Sequence, residues 1–215
     1  MTEPRNHRRS IRLQDWDYTA AGAYFITICT QGHALLFGDV VGDTVRLNEC
    51  GDTVWACWNQ IPNHFPQAEM DACVVMPNHV HGIIVMTART PDMAVGTQYV
   101  GAPVGAPVGA QHAAPLHIAP GSAPLPRRPG VQPGSLGAIV RSFKSATTQR
   151  INARRGVPGA PMWQRNYYEH IIRNDQSLQR IREYIKNNPA RWAEDPENPD
   201  TVIPPGQGSQ HVRVR

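Results

Sequence analysis

The stretch Met76-Pro77-Asn78-His79-Val80-His81-Gly82-Ile83-Ile84-Val85-Met86 constrains this chain more than any other. Before it runs Glu69-Met70-Asp71-Ala72-Cys73-Val74-Val75-Met76, and both runs are apolar and rich in β-branched residues. Only Pro77-Asn78 separates them, so the two predicted strands turn back on each other as antiparallel neighbours. Alternate side chains of an extended strand share a face. His79 and His81 therefore point the same way, while Val80 points into the core. Two neutral imidazoles on one face are half of a divalent-metal site.

The other ordered elements follow in sequence. Ala23-Tyr24-Phe25-Ile26-Thr27-Ile28-Cys29-Thr30 predicts a first strand. Glycines at 32, 38 and 42 mark a turn region with a small hairpin over 31–46. Val54, Trp55, Cys57, Trp58 and Ile61 fit a helix from Asn48 to about His64 that stops near Pro62. Ser135 is a candidate N-cap for a helix to about Ala153, with Leu136, Ile139, Val140, Phe143 and Ile151 as its apolar stripe. Met162 to Ile172 is aromatic and β-branched and predicts a fourth strand. Asn174 or Asp175 caps a final helix from Gln176 to about Asn188, ended by Pro189. The order β-α-β-β-α-β-α predicts an α+β fold, a ferredoxin-like βαββαβ antiparallel sheet with one added C-terminal helix.

Composition divides the chain further. A hydrophobic content of 40% can build a core, but 20 Pro and 18 Gly imply that much of the chain lies outside it. Residues 91–133, which repeat Gly-Ala-Pro-Val over 100–110 and are dominated by Pro and Gly to Pro133, read as a disordered linker, because such a segment buries too little to offset its ordering entropy. The single domain is thus split into 20–90 and 134–192, with a basic arm at 1–19 and a flexible tail at 193–215. A net charge of +4 favours an anionic partner. Cys29, Cys50, Cys57 and Cys73 lack paired spacing and read as reduced, which fits a cytoplasmic protein. No apolar run is long enough for a membrane span, so no membrane partner is expected.

The last helix carries the chemistry. Leu178, Ile181 and Ile185 form its buried stripe, and Tyr184 and Asn188 stack as i and i+4 along one edge. Packed against the strand with His79 and His81, they would gather two imidazoles, an amide oxygen and a phenol. A helical tyrosine beside apolar residues is nevertheless more often simple packing. Arg8, Arg9, Arg12, Arg141 and Lys144 either form solvated basic faces or track a phosphate backbone.

Met76-Pro77-Asn78-His79-Val80-His81-Gly82 resembles the His-hydrophobic-His (HUH) motif of IS200/IS605-like single-tyrosine transposases. Trp163-Gln164-Arg165-Asn166-Tyr167-Tyr168-Glu169-His170-Ile171-Ile172-Arg173 and Arg182-Glu183-Tyr184-Ile185-Lys186-Asn187-Asn188-Pro189 resemble the REP-associated (RAYT) branch. Ala23–Thr30 and Ser135–Ser145 do so too, and the likeness spans about 8–90 and 134–192 in the family's order. The resemblance implies His79, His81 and Asn188 as ligands of Mg²⁺ or Mn²⁺, and Tyr184 as nucleophile. It implies cleavage and rejoining of single-stranded DNA through a 5′-phosphotyrosine beside a REP-like hairpin, in a cytoplasmic, nucleoid-associated protein. DNA contacts are expected from Arg8, Arg9, Arg12, Arg141, Lys144, Trp163, Gln164, Arg165 and Tyr167. Homodimer and monomer both occur among such enzymes, so the resemblance leaves the oligomeric state open.

Tyr167 and Tyr168 are rival nucleophiles, but a strand tyrosine beside Trp163-Gln164 more naturally packs or touches nucleic acid. A metal-dependent hydrolase would need further His or Asp ligands in strand context, which the sequence does not offer. A non-catalytic DNA-binding descendant of the same fold is the remaining alternative. Retention of His79, His81, Tyr184 and Asn188 weighs against it.

Overall fold

The computed structural model describes residues 16–88 and 131–201. Strand β1 (Gly22–Cys29) leads through a 3-10 turn into a hairpin of β2 (Gly38–Val41) and β3 (Thr44–Leu47). Helices α1 (Glu49–Asn59) and α2 (Ile61–His64) follow, then β4 (Ala68–Val75) and β5 (His79–Met86). The chain resumes with α3 (Leu136–Arg155), β6 (Tyr168–Ile172) and α4 (Asp175–Asn187), and Pro189–Glu194 adds a 3-10 turn.

The main sheet has the order β4-β5-β1-β6, with every neighbouring pair antiparallel. The α+β fold with its four-stranded antiparallel sheet is as expected, and β1-α1-β4-β5-α3-β6 is the βαββαβ succession. Alternation along the strands separates two apolar layers. Tyr24, Ile26, Ile28, Val80 and Ile84 pack with Val54, Trp58, Ile139 and Phe143 of α1 and α3. Phe25 and Ile83 face the other way and pack with Ile181 and Ile185 of α4. Burying each of those isoleucines contributes roughly 1.5–3 kcal/mol, enough to seat the helix. His79 and His81 fall on the α4 side because they share the parity of Ile83.

Local chemistry sets the element ends. Asn48 accepts from the amides of Cys50 and Gly51, Ser135 from Ala138, and Asn174 from Ser177, so each is an N-cap. Gly156, in the left-handed region at φ 66°, closes α3. Gly82 has another role: a Cβ there would lie 2.3 Å from the Trp58 ring. The indole thus lies directly on the strand at Gly82, on the face opposite the histidine pair and Ile83.

Three expectations need correction. The helix predicted over 48–64 is two helices, and Pro62 sits in the first turn of α2, where a missing amide costs nothing. The fourth strand begins at Tyr168 rather than Met162. Before it there is one bridge, Thr30 to Trp163, and the carbonyls of Gln164 and Asn166 accept from Lys144 Nζ instead of a neighbouring strand. The tail expected from 193 does not hold for 193–201. Asp195 and Asn198 are buried there, and Thr201 Oγ1 donates to the carbonyls of Ala193 and Asp195. Arg8, Arg9 and Arg12, the repeat segment through residue 130 and residues 202–215 lie outside the described residues. Among the described residues, no helix is long and apolar enough to cross a membrane.

Candidate metal and tyrosine site

Antiparallel register places Thr27 opposite His81 and Cys29 opposite His79. Both imidazoles are buried, and their Nε2 atoms approach to 3.0 Å. Asn78 fixes the protonation of the first. Its Nδ2 donates to the carbonyls of His33 (3.2 Å) and Glu197 (2.6 Å), so its Oδ1 must face His79 Nδ1, 2.8 Å away. An amide oxygen only accepts, so Nδ1 of His79 carries the proton and Nε2 presents a lone pair.

Thr27 Oγ1 lies 2.9 Å from His81 Nδ1 and can act either way. If the hydroxyl donates, His81 Nε2 carries a proton and donates to His79 Nε2. If it accepts, both Nε2 lone pairs converge on one point, as a cation requires. Rotation of the Thr27 hydroxyl, together with transfer of the His81 proton from Nε2 to Nδ1, therefore switches the pair between a hydrogen bond and a ligand set.

Asp195 completes the cluster. The ligand atoms of His79, His81 and Asp195 all lie within 4.8 Å of one another, and all three residues are buried. Asn188, at the end of α4, donates from Nδ2 to Asp195 Oδ2 at 2.9 Å. Its own Oδ1 is buried without a hydrogen-bond partner. Two neutral imidazoles, a carboxylate and an unsatisfied amide oxygen fit a divalent ion, so this His-His-Asp cluster could hold one.

Tyr184 Oη stands 3.3 Å from His81 Nε2, and the ring meets Phe25 edge-on. Together with Phe25, Thr27, His81, Tyr168, Asp195 and Glu197 it lines a cavity of about 20 Å³, room for about one water. Burial, and then the carboxylates of Asp195 and Glu197, push the Tyr184 phenol above its usual pKa, while a hydrogen bond with Asn188 opposes them. Burial lowers His79 to about 3, helped by His33. His81 is held well below its usual value by burial and then by His79, against an opposing pull from Asp195. Both imidazoles are thus neutral, the form that binds a metal.

The structure thus brings His79, His81, Tyr184 and Asn188 together. The nearest carboxylate, Asp195, was not foreseen, because Glu194-Asp195-Pro196-Glu197 reads as a polar, Pro-containing stretch with no local signal. Tyr168, the rival tyrosine, lines the same cavity from β6. Of the residues expected to touch DNA, Trp163 does not fit. It is buried, packs on Phe37 and Phe143, and donates from Nε1 to Thr147 Oγ1. Lys144 is half-buried, bonded to the Gln164 and Asn166 carbonyls and 5.5 Å from the centre of the half-buried Tyr167 ring. Gln164 Nε2 lies 3.0 Å from His33 Nε2. Arg141 and Arg165 are exposed.

Fold and site together define an α+β protein with a buried candidate metal cluster beside a tyrosine hydroxyl. The chain belongs to the family of an uncharacterised protein of Haemophilus influenzae (strain Rd), with which it is 40% identical over 190 residues, covering 88% of this chain and 92% of that one. No protein-family model matches it. Two solved structures to which it is similar are described as transposases. One is a REP-associated tyrosine transposase bound to a REP hairpin, at TM-score 0.46 and 16% identity, covering 84% of this chain and 74% of that one. The other is a candidate transposase of Deinococcus radiodurans R1, at TM-score 0.38 and 15% identity, covering 82% and 95%.

Proposed function

We propose that this chain is a single-strand DNA transesterase of the single-tyrosine transposase kind, with Tyr184 as nucleophile. The observation that carries the proposal is the 3.3 Å approach of Tyr184 Oη to His81 Nε2, within a cluster that could hold a metal ion. His79, His81 and Asp195 would hold Mg²⁺ or Mn²⁺, with the Asn188 oxygen as a further candidate ligand. A bound divalent ion supplies Lewis-acid stabilisation of charge on the scissile phosphate.

The chain's own groups account for the rest. A phenol has an ordinary pKa of about 10 and attacks phosphorus poorly while protonated. Asp195 and Glu197 disfavour the phenolate further, so the hydroxyl is protonated in the free protein. In the reaction Tyr184 Oη bonds to phosphorus, the bond from phosphorus to the 3′ oxygen breaks, and the phenolic proton is balanced by one taken up on the leaving 3′ oxygen. The products are a 5′-phosphotyrosine and a free 3′-OH. Because the phosphodiester energy is kept in the link, a second 3′-OH can reverse the step without ATP. Single-stranded DNA beside a REP-like hairpin in the cytoplasm, at the nucleoid, is the substrate that this reading implies.

The narrow cavity at Tyr184 favours a second reading, a non-catalytic DNA-binding descendant. Asp195 and Glu197 line it beside the phenol, and two carboxylates there repel an incoming phosphate. One experiment separates the two readings. Labelled single-stranded DNA carrying the hairpin that flanks the gene is incubated with the protein and Mn²⁺ or Mg²⁺, then run on a denaturing gel. A metal-dependent covalent band supports the enzyme; binding without an adduct, across both metals, supports the descendant.

A further inference from the structure

A second feature lies on the other side of the sheet. A groove of about 800 Å³ runs between α3 and the loop 158–165. Lys144, Thr148, Gln149 and Asn152 line it from the helix, and Gln164 and Arg165 from the loop; among the described residues no carboxylate lines it. Helix α3 carries Arg141, Lys144, Arg150, Arg154 and Arg155 and no Asp or Glu anywhere along its length. Arg150 and Arg154 turn to Cys57, Gln60 and Glu49 at α1, so Lys144 and the loop residue Arg165 are the cations that line the groove itself, and both suit an anionic ligand.

Asn152 is an independent sign of a ligand. It is 3% exposed, its Nδ2 donates to the Ala160 carbonyl at 2.7 Å, and its Oδ1 has no hydrogen-bond partner. That donation fixes which end of the amide is oxygen, so the groove wall holds a buried acceptor that the protein leaves unsatisfied. A nucleobase N–H is a donor of the right kind, whereas phosphate oxygens are not.

The groove also connects with the tyrosine site. The Gln164 backbone amide donates to the carbonyl of Cys29 at 2.9 Å, the β1 residue that pairs with His79. Gln164 Nε2 meets His33, and His33 Nδ1 lies 3.2 Å from Glu197, which lines the Tyr184 cavity.

We propose that this groove holds single-stranded DNA flanking the phosphate offered to Tyr184, with an unstacked base at Asn152 and backbone phosphates on Arg165 and the Thr148-Gln149 edge of α3. The proposal rests on the reading of the chain as a single-strand DNA enzyme. It adds where the strand runs, and predicts that Trp163, which lines the groove but is 7% exposed, contributes little stacking surface.

The test measures binding of the full chain to a fluorescein-labelled, mixed-sequence single-stranded oligonucleotide by polarisation across a salt series. Thr148→Glu combined with Gln149→Glu places carboxylates on the helical edge of the groove; Arg165→Ala removes one exposed cation from its loop. Circular dichroism checks the fold of both. The double variant is expected to bind about tenfold or more weakly, and Arg165→Ala to lower the salt slope by about 1. Affinity and slope unchanged in both variants overturn the groove, even if wild-type protein still forms the Tyr184 adduct. Weakened binding in folded variants supports the groove even if no adduct forms, which sinks the Tyr184 reading alone. An oligonucleotide that wild-type protein does not bind overturns both.

Discussion

Asn188 donates from Nδ2 to Asp195 at 2.9 Å, so the residue expected as a metal ligand also holds the carboxylate that stands nearest the two histidines. A single hydrogen bond thereby ties the end of α4 to the chain seven residues on. It also aims the Asp195 carboxylate at His79 Nε2, 3.8 Å away.

That geometry ranks the two residues. Asp195→Ala is expected to weaken Mn²⁺ binding more than Asn188→Ala, which should cost about 10–100-fold if Asn188 acts by orienting Asp195. Isothermal titration with Mn²⁺ measures both. A larger loss in Asn188→Ala would show that the amide oxygen is itself the third ligand.

Tyr184→Phe should abolish the covalent DNA band and leave Mn²⁺ and DNA affinity within about twofold, since the hydroxyl contacts His81 without belonging to the cluster. Tyr168→Phe should keep the band. An adduct that survives in Tyr184→Phe and vanishes in Tyr168→Phe would move the nucleophile to β6.

Protonation should unfold the chelated protein from the histidine side. Both imidazoles are neutral when folded, with His79 lowered to about 3 and His81 also depressed. Unfolded histidines titrate near about 6.5, so below that pH the unfolded state binds more protons and stability falls as pH drops. The contribution is fully present above about pH 6.5 and is lost progressively towards pH 3. Urea midpoints measured across this range should decline less in His79→Gln, which lacks one of the two groups.

Arg182 and Asp71 form a two-pronged ion pair, with Nε 3.1 Å from both carboxylate oxygens and Nη2 2.6 Å from Oδ2. It fastens one flank of α4 to the edge strand β4, while Tyr184 projects from the other flank towards His81. Arg182→Ala should slow adduct formation by about tenfold or more while shifting Tm only slightly, because small errors in placing a nucleophile are costly. Restoring the pair in reversed order, Asp71→Arg with Arg182→Asp, should recover part of the rate. Equal rates in wild type and Arg182→Ala would show that apolar packing alone sets the helix.

Gly82→Ala is expected to destabilise the protein by about 1–3 kcal/mol, because the added methyl meets the Trp58 ring within a filled core. A denaturation midpoint unchanged from wild type would mean that the indole moves away freely.

Sequence reading was strongest where a signal was local. The strand His79–Met86 was read with its observed bounds, since a Pro-Asn break and β-branched runs are properties of adjacent residues. The N-cap Ser135 was likewise legible from a single side chain, and Asn174 was one of two offered for α4. Met162–Tyr167 misled for the opposite reason. Its composition suits a strand, but the distant Lys144 takes its carbonyls and Trp163 turns inward onto Phe37 and Phe143.

Sequence alone determined that His79 and His81 share a face and that Tyr184 and Asn188 share another, because both facts follow from backbone period. It could not determine that those faces meet, since His81 and Tyr184 stand 103 residues apart and their contact depends on β1 lying between β5 and β6. Nor could it single out Asp195, whose role comes from burial. An aspartate in a polar stretch is ordinary in water, and it becomes a candidate metal ligand only where the fold removes water and sets it against two neutral imidazoles.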